Sequence, residues 1–220
     1  MKVVIITAIV ACIALIGGAV YFAVKPKAPY VRVTAVSAAF DQRVKDGYWK
    51  KGPEEAQVVQ EEFTDFQCPY CYNFYQIDTQ AAVDTTANLP SVQRRVYPYP
   101  LTAAHNKAMD AAIAAEAAGK QGKYWEMFDL LFSKQGDWSE EVRSAFKQQV
   151  VTYAKQLSLN IPDFEDDYAS ADLEALVRKG IDEGNNRKVT GTPTIYLNGT
   201  KVNPPTSYDA WRAQLAASVK

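Results

Sequence analysis

The sequence predicts an α/β fold, in which a mixed β-sheet is covered by helices, carries an inserted helical block and is preceded by one N-terminal transmembrane helix. An uncharged apolar run over residues 3–24 predicts the membrane helix. After Pro53, β-rich and helical segments follow one another in the order expected for a sheet with helical connections. With 48% apolar and 22% charged residues, the composition excludes a disordered or low-complexity chain.

The N-terminal run is flanked by Lys2 and Lys25 and is long enough, as a helix, to cross the hydrocarbon of a bilayer. A cleaved export signal has a shorter apolar core followed by small residues. We therefore expect residues 1–24 to be an uncleaved anchor, with a cleaved signal as the alternative. Cys12 lies inside the run and is expected to be a small apolar membrane residue.

A linker is predicted over residues 25–52, between the anchor and a folded domain over residues 53–220. Pro26, Pro29 and Gly52 interrupt regular structure in this segment. The segment is also rich in basic residues, which suits a solvated tether or a contact with anionic lipid headgroups.

The first part of the folded domain is predicted to be a strand, a helix and a second strand. Residues 58–66 form the first strand and lead into a pair of cysteines, and residues 73–87 continue from that pair as a helix. Residues 91–97 form the second strand. Pro98 and Pro100 end it, because proline cannot donate to a strand ladder.

A helical block is predicted as an insertion from about residue 102 to about residue 189. Glycines and Pro162 divide it into about four helices with short connections. Its apolar residues recur at helical spacing in two stripes, which are Val142, Phe146, Val150, Tyr153 and Leu157, and Tyr124, Phe128 and Leu131.

The last part of the domain is predicted to be a β-hairpin and a helix. Residues 194–197 are β-rich, Asn198 and Gly199 form the dipeptide preferred in a type I′ turn, and residues 201–202 begin the return strand. The terminal helix has one apolar face, formed by Tyr208, Trp211, Leu215 and Val219.

The chain contains 3 cysteines, too few for a disulfide-stapled scaffold. Cys68 and Cys71 enclose Pro69 and Tyr70 at the junction between the first strand and its helix. The N–H groups and the dipole of a helix N-terminus stabilise a thiolate. We therefore expect Cys68 to be the exposed nucleophile and Cys71, one turn further, to be the less accessible resolving thiol. Pro69 fits the first helical turn, where its missing N–H is not needed.

A structural zinc site and a purely structural disulfide are alternative roles for the two cysteines. Zinc needs about four N or S ligands, and the soluble part of the chain offers only His105 besides the pair. A disulfide that closes so short a loop constrains the unfolded chain very little. Redox chemistry without a metal or other cofactor is therefore the preferred interpretation.

Pro193, directly before the predicted hairpin, marks a second candidate site. It could be an ordinary edge residue or the cis residue of a tight turn, and this pattern alone favours the ordinary residue.

Together, the two motifs resemble the DsbA-like branch of the thiol-disulfide oxidoreductases, which have the thioredoxin fold. The resemblance covers about residues 53–219. It is carried by Phe63-Thr64-Asp65-Phe66-Gln67-Cys68-Pro69-Tyr70-Cys71, by Thr190-Gly191-Thr192-Pro193-Thr194, and by Gln121-Gly122-Lys123-Tyr124-Trp125-Glu126-Met127-Phe128 in the helical block.

The resemblance implies that Pro193 is a cis proline packed beside the cysteines. It also implies that the backbone of Thr192 pairs with an extended substrate chain. Pro69 and Tyr70 are the further candidate substrate-binding residues. Tyr70 stands where the most oxidising relatives have a histidine, so the redox direction stays open.

Glu62 falls where the resemblance implies a buried acid that assists proton transfer at the resolving cysteine. Physically, a carboxylate there could accept the proton of Cys71. The alternative is an ordinary charged strand residue, because buried glutamate is rare and the neighbouring residues Gln60 and Glu61 are also polar.

The function that follows from the resemblance is that of a protein disulfide oxidoreductase that forms disulfides in exported proteins. The expected location is the cytoplasmic membrane, single-pass, with the catalytic domain on the extracytoplasmic side. Expected partners are cysteine-containing client proteins, a redox recycling partner, and the membrane through residues 3–24. A formal net charge of −1 gives no reason to expect nucleic acid. A reductase, an isomerase and a non-catalytic peptide-binding module are the alternatives.

Several other polar and aromatic residues are expected to be structural. His105 is interpreted as a helix-start or core residue, although its intrinsic pKa suits catalysis. Tyr97, Tyr99 and Trp125 are expected to be core residues and not to line a groove. A solvated face is predicted for the acidic run formed by Asp163, Glu165, Asp166, Asp167, Asp172 and Glu174.

Overall fold

The computed structural model of the protein describes residues 36–84 and 89–219. Strands in these ranges are β1 (Trp49–Lys51), β2 (Val58–Thr64), β3 (Val92–Pro98), β4 (Thr194–Leu197) and β5 (Thr200–Val202). Helices in these ranges are α1 (Ala38–Asp46), α2 (Pro69–Val83), α3 (Ala108–Lys120), α4 (Tyr124–Ser133), α5 (Gln135–Trp138), α6 (Arg143–Gln156), α7 (Ile161–Tyr168), α8 (Ala171–Asn186) and α9 (Tyr208–Ala217).

The predicted anchor at residues 1–24 lies outside the described residues. Among the residues that are described, no helix combines the length and the apolar character needed to cross a membrane.

The strands form one five-stranded sheet in the order β1-β3-β2-β4-β5. β2 and β3 are parallel and are connected through α2, whereas the pairs β1 with β3, β2 with β4, and β4 with β5 are antiparallel. The sheet is therefore mixed, as predicted. In the central strand, Glu62 lies opposite Val96 on one side and Ile195 on the other.

The predicted β-hairpin is present between β4 and β5. Asn198 and Gly199 both have positive φ, at 49° and 82°, as a type I′ turn requires. In α9, Trp211 and Leu215 face the core as predicted, but Val219 lies beyond the end of the helix and is exposed.

The helical insertion comprises α3 to α8, two more helices than predicted because α5 is only one turn long and α7 is short. Phe146, Val150 and Tyr153 are buried, which confirms the apolar stripe of α6. Val142 is 69% exposed, since it is the N-cap residue of that helix and points away from the face that packs. The aromatic stripe of α4 is buried and packs on Phe66, immediately after β2.

The predicted linker over residues 25–52 is wrong for its last part, which forms α1 and β1 and belongs to the folded domain. Ser37 caps α1 by accepting a hydrogen bond from the N–H of Phe40. Arg43 is buried and donates to Glu116 on α3, at 2.9 Å. Trp49 on β1 donates its indole N–H to the second oxygen of the same carboxylate. One buried carboxylate thus joins α1, β1 and α3.

The acidic run is not a solvated face throughout. Asp163 and Asp167 are buried on α7, whereas Glu165 and Asp166 are exposed. Lys120 at the end of α3 pairs with Asp167 at 2.6 Å. Because α7 packs against α3, an acid on the packed face of α7 meets a cation from its neighbour.

Candidate active site

The two cysteines lie where the central strand passes into α2. β2 ends at Thr64, a short turn follows, and Cys68 is the N-cap residue of α2. Pro69 occupies the first helical position, where a backbone N–H would have no partner within the helix, so proline loses no hydrogen bond there. Cys71 lies in the first turn of the helix, and both cysteines are free thiols.

Both sulfur-bearing residues are buried, which corrects the expectation that Cys68 is exposed. Cys68 is only 3% exposed and Cys71 is fully buried. The cover over Cys68 includes the loop before β4, where the carbonyl oxygen of Thr192 lies 3.4 Å from its Sγ and accepts its hydrogen bond. Pro69 and Tyr70 remain exposed, and Tyr70 is 71% exposed.

The asymmetry between the two thiols lies in their pKa values and not in their exposure. A hydrogen bond from the Cys71 thiol is the main cause that lowers the pKa of Cys68 to about 6. The Thr192 side chain and the N–H groups of Cys71 and Tyr70 add to this effect, while burial opposes it. Burial is the main cause that raises the pKa of Cys71 well above its usual value, followed by the hydrogen bond to Cys68 and the charges of Cys68 and Glu62.

The loop that carries Pro193 packs beside the cysteines. The peptide bond between Thr192 and Pro193 is cis, and Pro193 is buried. The Thr194 hydroxyl donates to the carbonyl of Gly191 at 2.8 Å, which closes the turn before β4. A groove starts at this loop and runs along α2, and it is lined by Tyr70, Asn73, Phe74, Gln76, Ile77, Thr192, Pro193, Pro204, Pro205 and Thr206.

Glu62 is buried in the central strand, at 2% exposure, so the alternative of an ordinary exposed strand residue does not hold. Burial raises the pKa of Glu62 to about 7, against the opposing charge of Arg94 and with a smaller contribution from Asp78. Nη2 of Arg94 lies 2.7 Å from Oδ2 of Asp78 but 3.9 Å from Oε2 of Glu62. Arg94 therefore pairs mainly with Asp78. Its positive charge offsets only part of the cost of ionising the buried Glu62.

Two further residues of the site, Asp65 and Gln135, are not among the residues predicted from the sequence. Asp65 is buried between β2 and the cysteines, and His105 pairs with it at 2.7 Å. Gln135 on α5 donates to the carbonyls of Phe66 and Cys68 at 2.7 and 3.1 Å. An Asp placed two residues before a free N–H is a known turn signal and could have marked Asp65. Nothing local marks Gln135.

Tyr97, Tyr99 and Trp125 do not line the groove. Tyr97 and Tyr99 are buried and pack on Phe63, which confirms the core interpretation for both. Trp125 is half-buried and lies under the guanidinium of Arg94, at 5.6 Å from the ring centre. In the parts of the chain that are described, no group of three or more His, Cys, Asp or Glu side chains is placed to hold a metal ion.

A family model described as thioredoxin matches residues 45–217, which is most of the chain. The chain belongs to the thioredoxin family. In this thioredoxin-family chain, residue 45 lies at the end of α1, so the matched region includes β1 and the end of the supposed linker.

Relatives of this thioredoxin-family chain include parts of much longer proteins. It is 34% identical over 168 residues to the Na(+)/H(+) antiporter NhaA 3 of Salinispora tropica, which covers 76% of this chain and 24% of the relative. It is 31% identical over 166 residues to the Na(+)/H(+) antiporter NhaA 1 of Mycolicibacterium vanbaalenii, covering 70% of this chain and 24% of the relative. The chain therefore spans about a quarter of the length of these relatives.

Solved structures share the fold at low sequence identity. BdbD from Bacillus subtilis has a TM-score of 0.66 at 21% identity, covering 84% of this chain and 96% of BdbD. MdbA, a thiol-disulfide oxidoreductase from Actinomyces oris, has a TM-score of 0.62 at 16% identity, covering 80% and 87%. A thioredoxin-like oxidoreductase from Silicibacter pomeroyi has a TM-score of 0.61 at 22% identity, covering 81% and 94%. The predicted thioredoxin fold is confirmed.

Proposed function

We propose that this chain is a thiol-disulfide oxidoreductase that exchanges disulfides with protein thiols through Cys68 and Cys71. The observation that carries the proposal is the position of Cys68 and Cys71 at the start of α2, where Sγ of Cys68 lies 3.4 Å from the carbonyl oxygen of Thr192, next to cis Pro193. Cys68 has a pKa of about 6, so much of it is thiolate at neutral pH, whereas Cys71 is held as the thiol. A reactive outer sulfur and a protonated inner one are what disulfide exchange needs.

In the oxidising direction, a client thiolate attacks Cys68 in the Cys68–Cys71 disulfide. The S–S bond between the cysteines breaks, a bond between the client and Cys68 forms, and Cys71 leaves as a thiolate. A second client thiolate then attacks the client sulfur, so the client gains a disulfide and Cys68 is released. The client loses two electrons and the cysteine pair gains them.

In the reducing direction, the Cys68 thiolate attacks a client disulfide and Cys71 resolves the mixed disulfide. Cys71 must lose its proton in this step and regain it in the other direction. Glu62 is the proposed proton acceptor and donor, because its pKa of about 7 lets it do both near neutral pH.

The oxidising direction is the preferred one. The hydrogen bonds that stabilise the Cys68 thiolate also stabilise the reduced form of the cysteine pair. A more stable reduced form makes the disulfide a stronger oxidant. The groove between α2 and the Pro193 loop is proposed to bind an extended client segment beside Cys68. A recycling partner would then reoxidise the pair.

The apolar run at residues 3–24 supports a single-pass anchor in the cytoplasmic membrane. Persistent disulfides form mainly in oxidising compartments, which supports an extracytoplasmic position for the catalytic domain.

A peptide-binding module without redox chemistry is the second candidate, and the groove favours it. Such a module has no need of a low pKa at Cys68. Reductase and isomerase activities use the same residues as the oxidase and differ from it in the potential of the pair.

The test is a pair of substitutions, Cys68→Ser and Cys71→Ser, in the full chain. Cys68→Ser should abolish turnover of a dithiol client, because it removes the attacked sulfur. Cys71→Ser should trap mixed disulfides between Cys68 and its clients, visible by non-reducing electrophoresis. Equal residual activity in both variants, or wild-type client binding without any turnover, would favour the binding module.

A further inference from the structure

Asp65 contacts both redox cysteines through its backbone. Its carbonyl oxygen accepts a hydrogen bond from the N–H of Cys68 at 3.1 Å. Its own N–H donates to Sγ of Cys71 at 3.5 Å, within the usual range for a bond to sulfur. The peptide unit before Asp65 therefore supplies a donor to the resolving sulfur, and that donor favours the Cys71 thiolate.

The side chain of Asp65 is anchored by three donors, one from the turn that follows it and two from the turn after β3. Oδ1 accepts from the N–H of Gln67 at 2.8 Å, which closes a short turn before Cys68. Oδ2 accepts from the N–H of Leu101 at 2.9 Å and lies 2.7 Å from Nδ1 of His105. Because a carboxylate can only accept, His105 is the donor in this pair and carries its proton on Nδ1.

Of the three groups that donate to the Asp65 carboxylate, His105 is the one that donates through its side chain. It lies in the turn between β3 and α3, where the His105 side chain is 19% exposed. The Gln67 and Leu101 donors are backbone groups, which a substitution leaves in place. A change at His105 therefore removes one support of Asp65 and leaves the rest of the turn intact.

We propose that His105 and Asp65 form a positioning pair for the redox site, in which His105 fixes Asp65 so that the Asp65 N–H points at the sulfur of Cys71. This inference rests on the proposed function. The pair acts on the step in which Cys71 attacks or leaves as a thiolate.

The step concerned is the resolution of a mixed disulfide at Cys68. The Cys71 thiolate attacks Cys68, the bond between Cys68 and the client sulfur breaks, and the Cys68–Cys71 disulfide forms. The client leaves as a thiolate, reduced, while the pair is oxidised. A donor aimed at Cys71 raises the fraction of its reactive thiolate, whereas Cys68 has its own donors in Cys71, Thr192 and Tyr70.

The experiment follows the reaction of the reduced full chain with an aromatic disulfide, dithiobis(nitrobenzoate), by the absorbance of the released thiolate. The chain carries Cys12→Ala, so that Cys68 and Cys71 are its two remaining thiols. The first phase reports attack by Cys68, and the second reports resolution by Cys71. The variants are His105→Ala, which removes the donor, and His105→Asn, whose amide nitrogen can replace Nδ1.

We expect His105→Ala to slow the second phase about tenfold, the effect of losing one charge-assisted hydrogen bond, without changing the first phase. His105→Asn should restore the second phase to within about twofold of wild type, since it keeps the donor. Glu140→Gln is the matched control, because Glu140 lines the same cleft as His105 and is exposed.

An unchanged second phase in His105→Ala would overturn the inference, and so would equal slowing of both phases, which is the signature of general loosening. Failure of His105→Asn to restore the rate would do the same. If the wild-type chain reacts in both phases only as fast as an ordinary thiol, the proposed function fails as well. The two failures are therefore distinguishable.

Discussion

Cys68 is the N-cap residue of α2 and Cys71 lies in its first turn, and both are shielded from solvent. Hydrogen bonds lower the pKa of Cys68, whereas burial is the main cause that raises the pKa of Cys71. Cys68 gathers donors from Cys71, from the Thr192 side chain and from two backbone N–H groups. Cys71 receives one backbone donor, from Asp65, and lies near the charge of Glu62. At this scale the two thiols differ in pKa although both are buried.

The rate of alkylation of Cys68 should therefore depend on pH around its lowered pKa. The thiolate fraction rises as the pH rises through about 6, so the rate should be half-maximal there and level above it. Thr192→Val removes the hydroxyl and should move the midpoint to higher pH. The measurement is the rate of reaction with iodoacetamide in the full chain carrying Cys12→Ala, from about pH 4 to about pH 9.

Thr190→Val is the matched control for this substitution, since Thr190 is an exposed threonine of the same loop. It should leave the midpoint unchanged. A wild-type midpoint near the ordinary cysteine pKa of about 8.5, or the same midpoint in wild type and Thr192→Val, would contradict the assigned donors.

The residues that lie together in the sequence could be predicted as a site, and those that meet only in the fold could not. Cys68, Pro69 and Cys71 form a recognisable local motif. Asp65 meets His105 across 40 positions of the chain, and Gln135 meets the Cys68 carbonyl across 67. No local pattern of charge or hydrophobicity encodes such contacts, because they depend on how the helical insertion is placed over the sheet.

The elements of the fold differ in how well the sequence predicts them. β2, β3, β4 and the hairpin turn carry strong β-residue and turn signals, and their positions are correct to within two residues. α1 and β1 lie inside the segment predicted to be a linker, because Pro26, Pro29 and Gly52 and a basic composition indicate a linker there. Both are held by Glu116 on α3, which forms a buried ion pair with Arg43 of α1 and accepts a hydrogen bond from Trp49 of β1, and composition cannot indicate such contacts.

β1 packs on α3 where the ring of Trp49 lies against Gly119. A Cβ added at Gly119, on the buried face of α3, would overlap the ring of Trp49. That ring is confined, since it stacks on Tyr124 with a centre separation of 4.1 Å. Gly119→Ala should therefore lower the free energy of unfolding by about 1–3 kcal/mol, measured by chemical denaturation.

Gly136→Ala is the control, because Gly136 is also helical and a Cβ there meets nothing within 4 Å. It should leave stability unchanged or raise it by about 0.5–1 kcal/mol, as alanine is the better helix former. If both variants lose the same stability, the contact with Trp49 does not explain the loss. If Gly119→Ala loses none, α3 and β1 are not packed as described.

In the whole domain, the redox site is assembled from three distant parts of the chain. The start of α2 supplies the two thiols, the loop before β4 supplies Thr192 and Pro193, and the region from the end of β3 to α5 supplies His105 and Gln135. The sheet brings these parts to one end. The family resemblance predicts that the Pro193 loop lies beside the cysteines, whereas the positions of His105 and Gln135 and the burial of Cys68 under the loop cannot be predicted from the sequence.

The stability of the whole domain should depend on the redox state of the pair. Stabilisation of the Cys68 thiolate favours the reduced form, and the disulfide closes a loop too short to constrain the unfolded chain much. We therefore expect the reduced protein to resist denaturant better than the oxidised protein. We also expect a potential nearer about −120 mV than about −270 mV in equilibrium with glutathione.

The two measurements check each other, since about 30 mV corresponds to about 1.4 kcal/mol for this two-electron pair. Cys71→Ser should show no difference in stability between reducing and non-reducing buffers, because it cannot form the disulfide. A more stable oxidised form, with a potential near that of thioredoxin, would indicate a reductase.

The outermost strands of the sheet, β1 and β5, have only three residues each, and both carry lysine. The free backbone N–H and C=O groups of an unfolded polypeptide pair readily with a long, flat, uncharged edge strand. Short, charged edge strands offer such chains few backbone groups with which to pair. For the proposed exchange of disulfides with partly folded proteins, such edges lower the risk that the domain seeds aggregation of the chains it meets.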